Sequence, residues 1–127
     1  MPAPAVAISG DRFPRRARLR QRVEFDRCYR QGRRHHAGAF TLHAVSGEGP
    51  VARLGTTVSR RVGGSVERQR LKRWTREVFR RSGSRPGLAG CDLVVHFKPG
   101  AAAVPFAEFQ RDLERLLAEA ARRRRSP

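Results

Sequence analysis

Positive charge in this chain is concentrated in two internal segments and at the C-terminus. Residues 12–34 carry a net charge of +8, residues 60–81 carry +7 and residues 122–127 carry +4. The intervening stretches are close to neutral, since residues 35–59 carry no net charge and residues 82–121 carry −1. This distribution indicates a folded domain with a built basic surface rather than a uniformly basic chain.

The size and composition allow one modest hydrophobic core and predict an anionic partner. The chain has 127 residues, of which 39% are hydrophobic, which is lean for a globular domain. Its 28 basic residues against 11 acidic residues give a net charge of +17 and an isoelectric point near 11.9. A small domain with this much self-repulsion usually has a polyanion that neutralises it.

Several classes of protein do not fit the sequence. The apolar runs are all far shorter than the roughly 18 residues of a membrane span, and the first ten residues lack the basic start of a signal peptide. Cys28 and Cys91 share no metal or redox spacing, so we expect a reduced pair and a cytoplasmic protein.

The hydrophobic periodicity predicts an α+β fold with the order α-β-β-α-β-α and a sheet of three to four strands packed with helices. The predicted helices are 22–30, which Gly32 ends, 65–81, which Ser65 caps, and an amphipathic helix that Pro105 can start. The predicted strands are 40–45, 51–59 and 91–97. Because a turn rich in glycine joins the first two strands, we expect them to form a β-hairpin.

These elements predict a simple domain organisation. Residues 1–14 lack periodicity and are expected to form a flexible N-terminal arm. The folded domain is expected over residues 15–121, and residues 122–127 are expected to form a solvated basic tail.

The central helix predicted over 65–81 has two opposed faces. At 100° per residue, Leu71, Trp74 and Val78 fall within an arc of about 60° and would face the core. The opposite arc is basic and holds Arg68, Gln69, Lys72, Arg73, Arg76 and Arg80. Glu67 and Glu77 are too few to neutralise it. Since arginine side chains match phosphate oxygens two at a time, this face predicts binding to a nucleic-acid backbone.

The residues before this helix support the same interpretation. Arg60 and Arg61 leave the second predicted strand, and Gly63-Gly64 would let backbone N–H groups approach an anion at the helix N-terminus.

This region is similar to the signature of the bacterial ribonuclease P protein component. That family carries Val-x-Arg-Asn-Arg-x-Lys-Arg-x-x-Arg-Glu on a helix after a Gly-rich turn. The chain matches at Val66, Arg68, Arg70, Lys72, Arg73, Arg76 and Glu77. It departs at Gln69, whose amide reaches one methylene further than the family's Asn. The resemblance extends over residues 15–120, from an opening helix to a closing amphipathic helix.

The resemblance implies a subunit that assists a catalytic RNA. The RNA would carry out the hydrolysis with bound Mg²⁺, with one protein per RNA, and the reaction would remove the 5′ leader of precursor tRNA. The residues implied to bind the RNA subunit are Arg60, Arg61, Arg68, Gln69, Arg70, Lys72, Arg73, Arg76 and Arg80.

A second set of residues is implied to bind the single-stranded leader. By spacing alone, Phe25 and Tyr29 are typical of core packing, because they lie four residues apart on a helix. The resemblance implies instead that these rings line a leader cleft, together with Arg22 and Arg33. Aromatic rings stack on bases without requiring a given sequence, which suits an enzyme that processes many leaders.

The sequence offers no catalytic constellation of its own. The histidines, cysteines and carboxylates lack the spacing of a metal site, and we see no arrangement typical of a catalytic nucleophile. We therefore expect no catalytic or metal-binding residues in the protein. A small ribosomal-type RNA-binding protein without a role in cleavage is the alternative interpretation, while a self-sufficient metal nuclease lacks the ligands.

Overall fold

The computed structural model describes residues 15–47 and 49–124 of the chain. The helices in this part of the chain are α1 (Arg22–Gln31), α2 (Ser65–Arg81) and α3 (Phe106–Arg124). Short 3-10 turns lie at Arg15–Ala17, Arg85–Leu88 and Ala101–Ala103. The strands are β1 (Arg33–His36), β2 (Phe40–Ser46), β3 (Arg53–Thr57) and β4 (Cys91–Phe97). They form one four-stranded sheet in the order β1-β2-β4-β3, which confirms the predicted α+β class and the strand number.

The predicted β-hairpin is wrong, because β4 lies between the two strands that were expected to pair. Strand β2 runs antiparallel to β4, and β3 runs parallel to it. Leu93, Val94 and Val95 are buried on both faces of β4, and such a strand belongs in the middle of a sheet. Helix α2 supplies the crossover that a parallel pair requires.

Strand β1 was not predicted, because its sequence Arg33-Arg34-His35-His36 contains no apolar residue. It pairs with β2 at one edge of the sheet, and its charged side chains suit an edge that must not pair with another protein strand.

The sheet separates a large core from a small one. Helices α2 and α3 cover one face, where the aromatic rings of Phe40, Phe97 and Phe109 pack together. The predicted apolar face of the last helix is buried there at Phe109, Leu113, Leu116 and Leu117. On the opposite face, α1 and the segment before it pack through a small cluster of Leu19, Cys28 and Val94. Beside this cluster, His96, His36 and Arg34 on the same side of the sheet are exposed.

Buried ion pairs hold α1 on this second face. Asp92 on β4 is only 2% exposed and accepts hydrogen bonds from Arg27 of α1, at 2.8 Å, and from Arg53 of β3, at 2.9 Å on each oxygen. Arg53 also donates to Glu24 of α1 at 2.7 Å. The backbone N–H of Gln21 is the main reason that the pKa of Glu24 is lowered, so this carboxylate stays charged.

Several element boundaries differ from the expected ones. Gly64, not Ser65, is the N-cap of α2, and Ser65 is its first helical residue. Strand β3 is shorter than the predicted 51–59. Helix α3 continues to Arg124, so the first three residues of the predicted tail are helical, while residues 125–127 and the predicted arm over residues 1–14 lie outside the described residues.

Candidate RNA-binding surface

At the β3 edge of the sheet, residues of α1, of the segment before it, of β3 and of α2 line a cleft of about 110 Å³. Its lining combines cations with an aromatic ring: Arg18, Leu19, Phe25, Leu54, Gly55, Thr56, Lys72 and Arg76. Phe25 lies directly on β3, since a Cβ added at Gly55 would come within 2.6 Å of its ring. The absence of a side chain at Gly55 therefore lets the ring approach the strand.

The residues that line this cleft include cationic side chains but no carboxylate. Burial, and then the nearby Arg18 guanidinium, lower the pKa of Arg76. Lys72 and Arg76 together make this part of the cleft electropositive, so an anion held there would be stabilised. The cleft can thus hold a phosphate next to a ring that can stack on a base.

Tyr29 lies one helical turn beyond Phe25 and faces the same side of the sheet. Its hydroxyl is 2.6 Å from Thr57 Oγ1 and 2.9 Å from His96 Nδ1. The ring also meets His43 edge to face, with centroids 4.8 Å apart. Tyr29 is half-buried, so part of its side chain remains accessible on this side of the sheet.

The predicted leader residues Arg22 and Arg33 do not line the cleft. Arg22 is 94% exposed and reaches Asp26 at 4.0 Å. Arg33 points to the face covered by α3, because its neighbour Arg34 is paired with His43 on the Tyr29 face and adjacent strand residues alternate. The structure therefore does not bring Arg33 to the rings, and places Arg34 and His36 on that face instead.

The residues predicted to bind the RNA subunit fall into three environments. Lys72 and Arg76 line the cleft, while Arg60, Arg61, Gln69 and Arg73 are exposed and Arg68 is half-buried. Arg70 points the other way: it donates to the carbonyl oxygen of Ala102 at 2.8 Å and lies 5.1 Å from the Trp74 ring centre. Arg80 donates to Glu77 at 2.6 Å. The residues predicted to bind the RNA subunit are thus divided, with Arg70 and Arg80 engaged within the protein.

The glycine turn before α2 is occupied by an acidic side chain. A Cβ at Gly64 would lie 3.0 Å from Glu67 Oε1, and a Cβ at Gly63 would lie 3.0 Å from Glu67 Cβ. Glu67 therefore lies over both glycines, which disfavours the anion that we expected at this helix N-terminus.

Sequence reasoning missed the polar residues that the sheet contributes to this face. Gly55, Thr57, Thr41, His43, His96, Arg34 and His36 share one side through the register of four strands. The alternation along each strand was visible in the sequence. The face could not be assembled from it, because the predicted hairpin placed the strands in the wrong order.

The residues that the structure describes contain no group of three or more histidine, cysteine or acidic side chains that could hold a metal ion. Cys28 and Cys91 are unpaired and buried, and burial raises the pKa of the Cys28 thiol to about 11. Among the described residues, no helix is long and apolar enough to cross a membrane.

Comparison with known proteins identifies the family. The family profile described as Ribonuclease P matches residues 13–121. The chain belongs to the ribonuclease P protein family. The ribonuclease P protein component of Desulfovibrio desulfuricans is 39% identical over 113 residues, which is 87% of each chain. That of Xylella fastidiosa is 42% identical over 107 residues, covering 84% of this chain and 77% of the relative.

Solved structures of the ribonuclease P family share the fold. The RNase P protein from Thermotoga maritima superposes with a TM-score of 0.71 at 32% identity, covering 80% of this chain and 96% of that one. The Staphylococcus aureus RNase P protein gives 0.73 at 27% identity, covering 82% and 94%. Family membership makes this chain a subunit of the ribonuclease P holoenzyme and a partner of ribonuclease P RNA.

Proposed function

We propose that this chain binds the catalytic RNA of ribonuclease P through α2 and holds the 5′ leader of precursor tRNA in the cleft. It thereby promotes endonucleolytic removal of the leader. One observation carries the proposal: the Phe25 ring shares a cleft with Arg18, Lys72 and Arg76, where carboxylates are absent from the lining. Single-stranded RNA needs this combination of a stacking ring and phosphate-binding cations.

Some polar residues of α2 line the cleft and others are exposed outside it, so this one helix can contact two parts of the RNA. Lys72 and Arg76 lie toward the leader cleft, whereas Arg73 and Gln69 are exposed on the outer side. A catalytic RNA bound on the outer side would therefore have its substrate's leader held on the inner side. Arg70 supports this surface indirectly, since its hydrogen bond to Ala102 fixes the helix against the turn before α3.

The chemistry itself is assigned to the RNA. Asp92, the most buried carboxylate among the described residues, is fully engaged by two arginines, and the described chain offers no cluster of metal ligands. Mg²⁺ bound by the RNA would supply the activated water and stabilise the leaving oxygen. The basic surfaces of this chain would reduce the Mg²⁺ demand by shielding repulsion between phosphates.

The test compares two substrates of the assembled holoenzyme. Phe25→Ala and Tyr29→Ala should each weaken binding of precursor tRNA by roughly 1–3 kcal/mol, because a stack on a leader base is removed. Affinity for mature tRNA, which has no leader, should barely change. Tyr29→Phe should bind within a few fold of the wild type, because it keeps the ring and removes only the hydroxyl contacts with Thr57 and His96.

Phe106→Ala is the matched control, since this half-buried ring packs on Trp74, on the opposite face of the sheet. It should lower the melting temperature and affect both tRNAs alike. If Phe25→Ala and Tyr29→Ala behave as Phe106→Ala does, their rings belong to the core and the leader assignment is wrong. If no variant alters RNA-dependent cleavage and the wild-type protein does not promote it, the chain is an RNA-binding protein without a role in cleavage.

A further inference from the structure

A second basic cavity lies at the opposite edge of the sheet, between β1 and the outer side of α3. Its volume is about 600 Å³, and its lining contains no apolar side chain. The lining residues that matter are four arginines, one buried histidine and one carboxylate: Arg33, Arg34, Arg115, Arg123, His35 and Glu119. Such a lining suits a flexible polyanion and not an apolar ligand.

The arginines of this cavity are available to a ligand. Within the described part of the chain, Arg33, Arg34 and Arg123 make no side-chain hydrogen bond or ion pair, and Arg115 has only a 3.5 Å contact with Asp112. The contrast is with Arg27 and Arg53, which are fully engaged by Asp92. Several arginines that line one cavity make it electropositive, and phosphate groups bound there would neutralise this charge.

The one carboxylate among the lining residues is hydrogen-bonded to a buried histidine. His35 is 5% exposed, and its Nδ1 lies 2.8 Å from Glu119 Oε1. This hydrogen bond is the main reason that the pKa of Glu119 is lowered. Glu119 therefore remains charged and also attracts the nearby Arg123, but one carboxylate cannot neutralise the four arginines that line the cavity.

One side of the sheet connects this cavity to the leader cleft. Between the cleft at β3 and the edge at β1, this side carries exposed His96 on β4 and exposed His36 and Arg34 on β1, while His43 of β2 is buried beneath Tyr29. Three strand spacings separate the two edges, or about 14 Å, so one nucleotide cannot occupy both sites. A single strand that leaves the cleft across this face reaches Arg34 and then passes over the β1 edge to Arg33.

We infer that the β1–α3 cavity binds backbone phosphates of the upstream part of the leader, beyond the nucleotides held at Phe25. This inference rests on the proposed function, because it extends the path of the same strand. The edge itself favours RNA over a protein strand, since β1 presents Arg34 and His36 outward and charged edges block strand pairing.

The experiment measures holoenzyme affinity for precursor tRNAs with a full-length leader and with a leader truncated to the few nucleotides that the cleft can hold. The double variant Arg33→Gln/Arg123→Gln should bind the long-leader substrate several-fold more weakly and the short-leader substrate as the wild type does. With two phosphates no longer neutralised, the log–log salt slope for the long leader should decrease by about 1.4, at about 0.7 per single-strand phosphate.

Two controls separate this site from general electrostatics. Arg30→Gln/Arg111→Gln removes the same charge from exposed positions that do not line the cavity, and should leave the ratio of long-leader to short-leader affinity unchanged. Glu119→Gln should act in the opposite direction to the double variant and strengthen binding of the long leader. Glu114→Gln, an exposed carboxylate of the same helix outside the cavity, should not.

The outcomes distinguish this inference from the function on which it rests. Equal effects of Arg33→Gln/Arg123→Gln on both leader lengths, or an effect on catalytic-RNA binding alone, would overturn the upstream-leader site. In that case the precursor-specific loss in Phe25→Ala would still support the cleft. If Phe25→Ala shows no such loss, the proposed function itself fails.

Discussion

Gln69 and Arg70 are neighbours on α2, but the structure gives them different surroundings. Gln69 is exposed, whereas Arg70 is half-buried against Trp74 and bonded to Ala102. The family signature treats both as parts of one RNA-binding motif, and the sequence could not separate them. The signature predicts RNA contact for each of its arginines. It contains no information on whether a side chain is directed instead toward a neighbouring loop, as Arg70 is.

These different surroundings predict different effects of substitutions at Gln69 and Arg70. Gln69→Asn should leave holoenzyme activity within a few fold, because the amide chemistry is kept at an exposed position. Arg70→Ala should lose more activity and should also destabilise the fold by about 1–3 kcal/mol, since a charge-assisted hydrogen bond and a cation–π contact are removed. Thermal melts of both variants, alongside cleavage assays, check this. A large gain in activity for Gln69→Asn would show that the departure from the family's Asn has cost function.

At the scale of elements, α2 connects the two proposed RNA contacts. Its bounds and its core face were predictable, since Leu71 and Val78 are buried as the periodicity indicated and the helix ends at Arg81. Its polar face was predictable only as a whole. The neighbours that divide it, α1 on one side and the turn at Ala102 on the other, are distant in sequence.

The basic surface of α2 predicts that binding to the catalytic RNA depends on salt concentration. Log affinity for the catalytic RNA should fall steeply with log salt, because bound phosphates release counterions. Arg68→Ala/Arg73→Ala, which removes two charges from positions outside the cleft lining, should reduce that slope by about 1 for each phosphate that the helix no longer neutralises. Arg30→Gln/Arg111→Gln, which lowers the net charge by the same amount elsewhere, should change it less. The slope is measured by titrating KCl in a binding assay. A slope that does not differ from the wild type would mean that this face of α2 is only solvated.

For the whole molecule, the α+β class and a sheet of three to four strands were predictable, but the order of the strands was not. A turn rich in glycine between 46 and 50 is typical of a hairpin, and local pattern contains nothing that opposes that interpretation. The order is decided by β4, which comes 34 residues after β3 ends and whose two buried faces make it the central strand. The polar face of the sheet, and with it the route from the cleft to β1, depends on that long-range choice.

Ion pairs centred on Asp92 hold α1 against the sheet. Asp92 joins α1, through Arg27, to β3, through Arg53, so it fixes the small face of the sheet on which the cleft is built. Asp92→Asn would leave two guanidinium groups without their carboxylate, and removing one partner of a buried pair costs roughly 3–5 kcal/mol. Both arginines are about one third exposed, so water would solvate them in the variant and reduce this cost. We therefore expect the free energy of unfolding to fall by about 2–3 kcal/mol.

Asp26→Asn is the matched control, because Asp26 lies on the same helix and meets Arg22 in an exposed pair at 4.0 Å. Exposed pairs contribute at most about 1 kcal/mol, so its unfolding free energy should stay close to that of the wild type. Urea unfolding of both variants measures the difference. Because α1 carries Phe25 and Tyr29, Asp92→Asn should also weaken precursor tRNA binding at temperatures where the domain is still folded. If the two asparagine variants were equally stable, α1 would be held by its small apolar cluster alone, and the cleft would not depend on the ion pairs at its base.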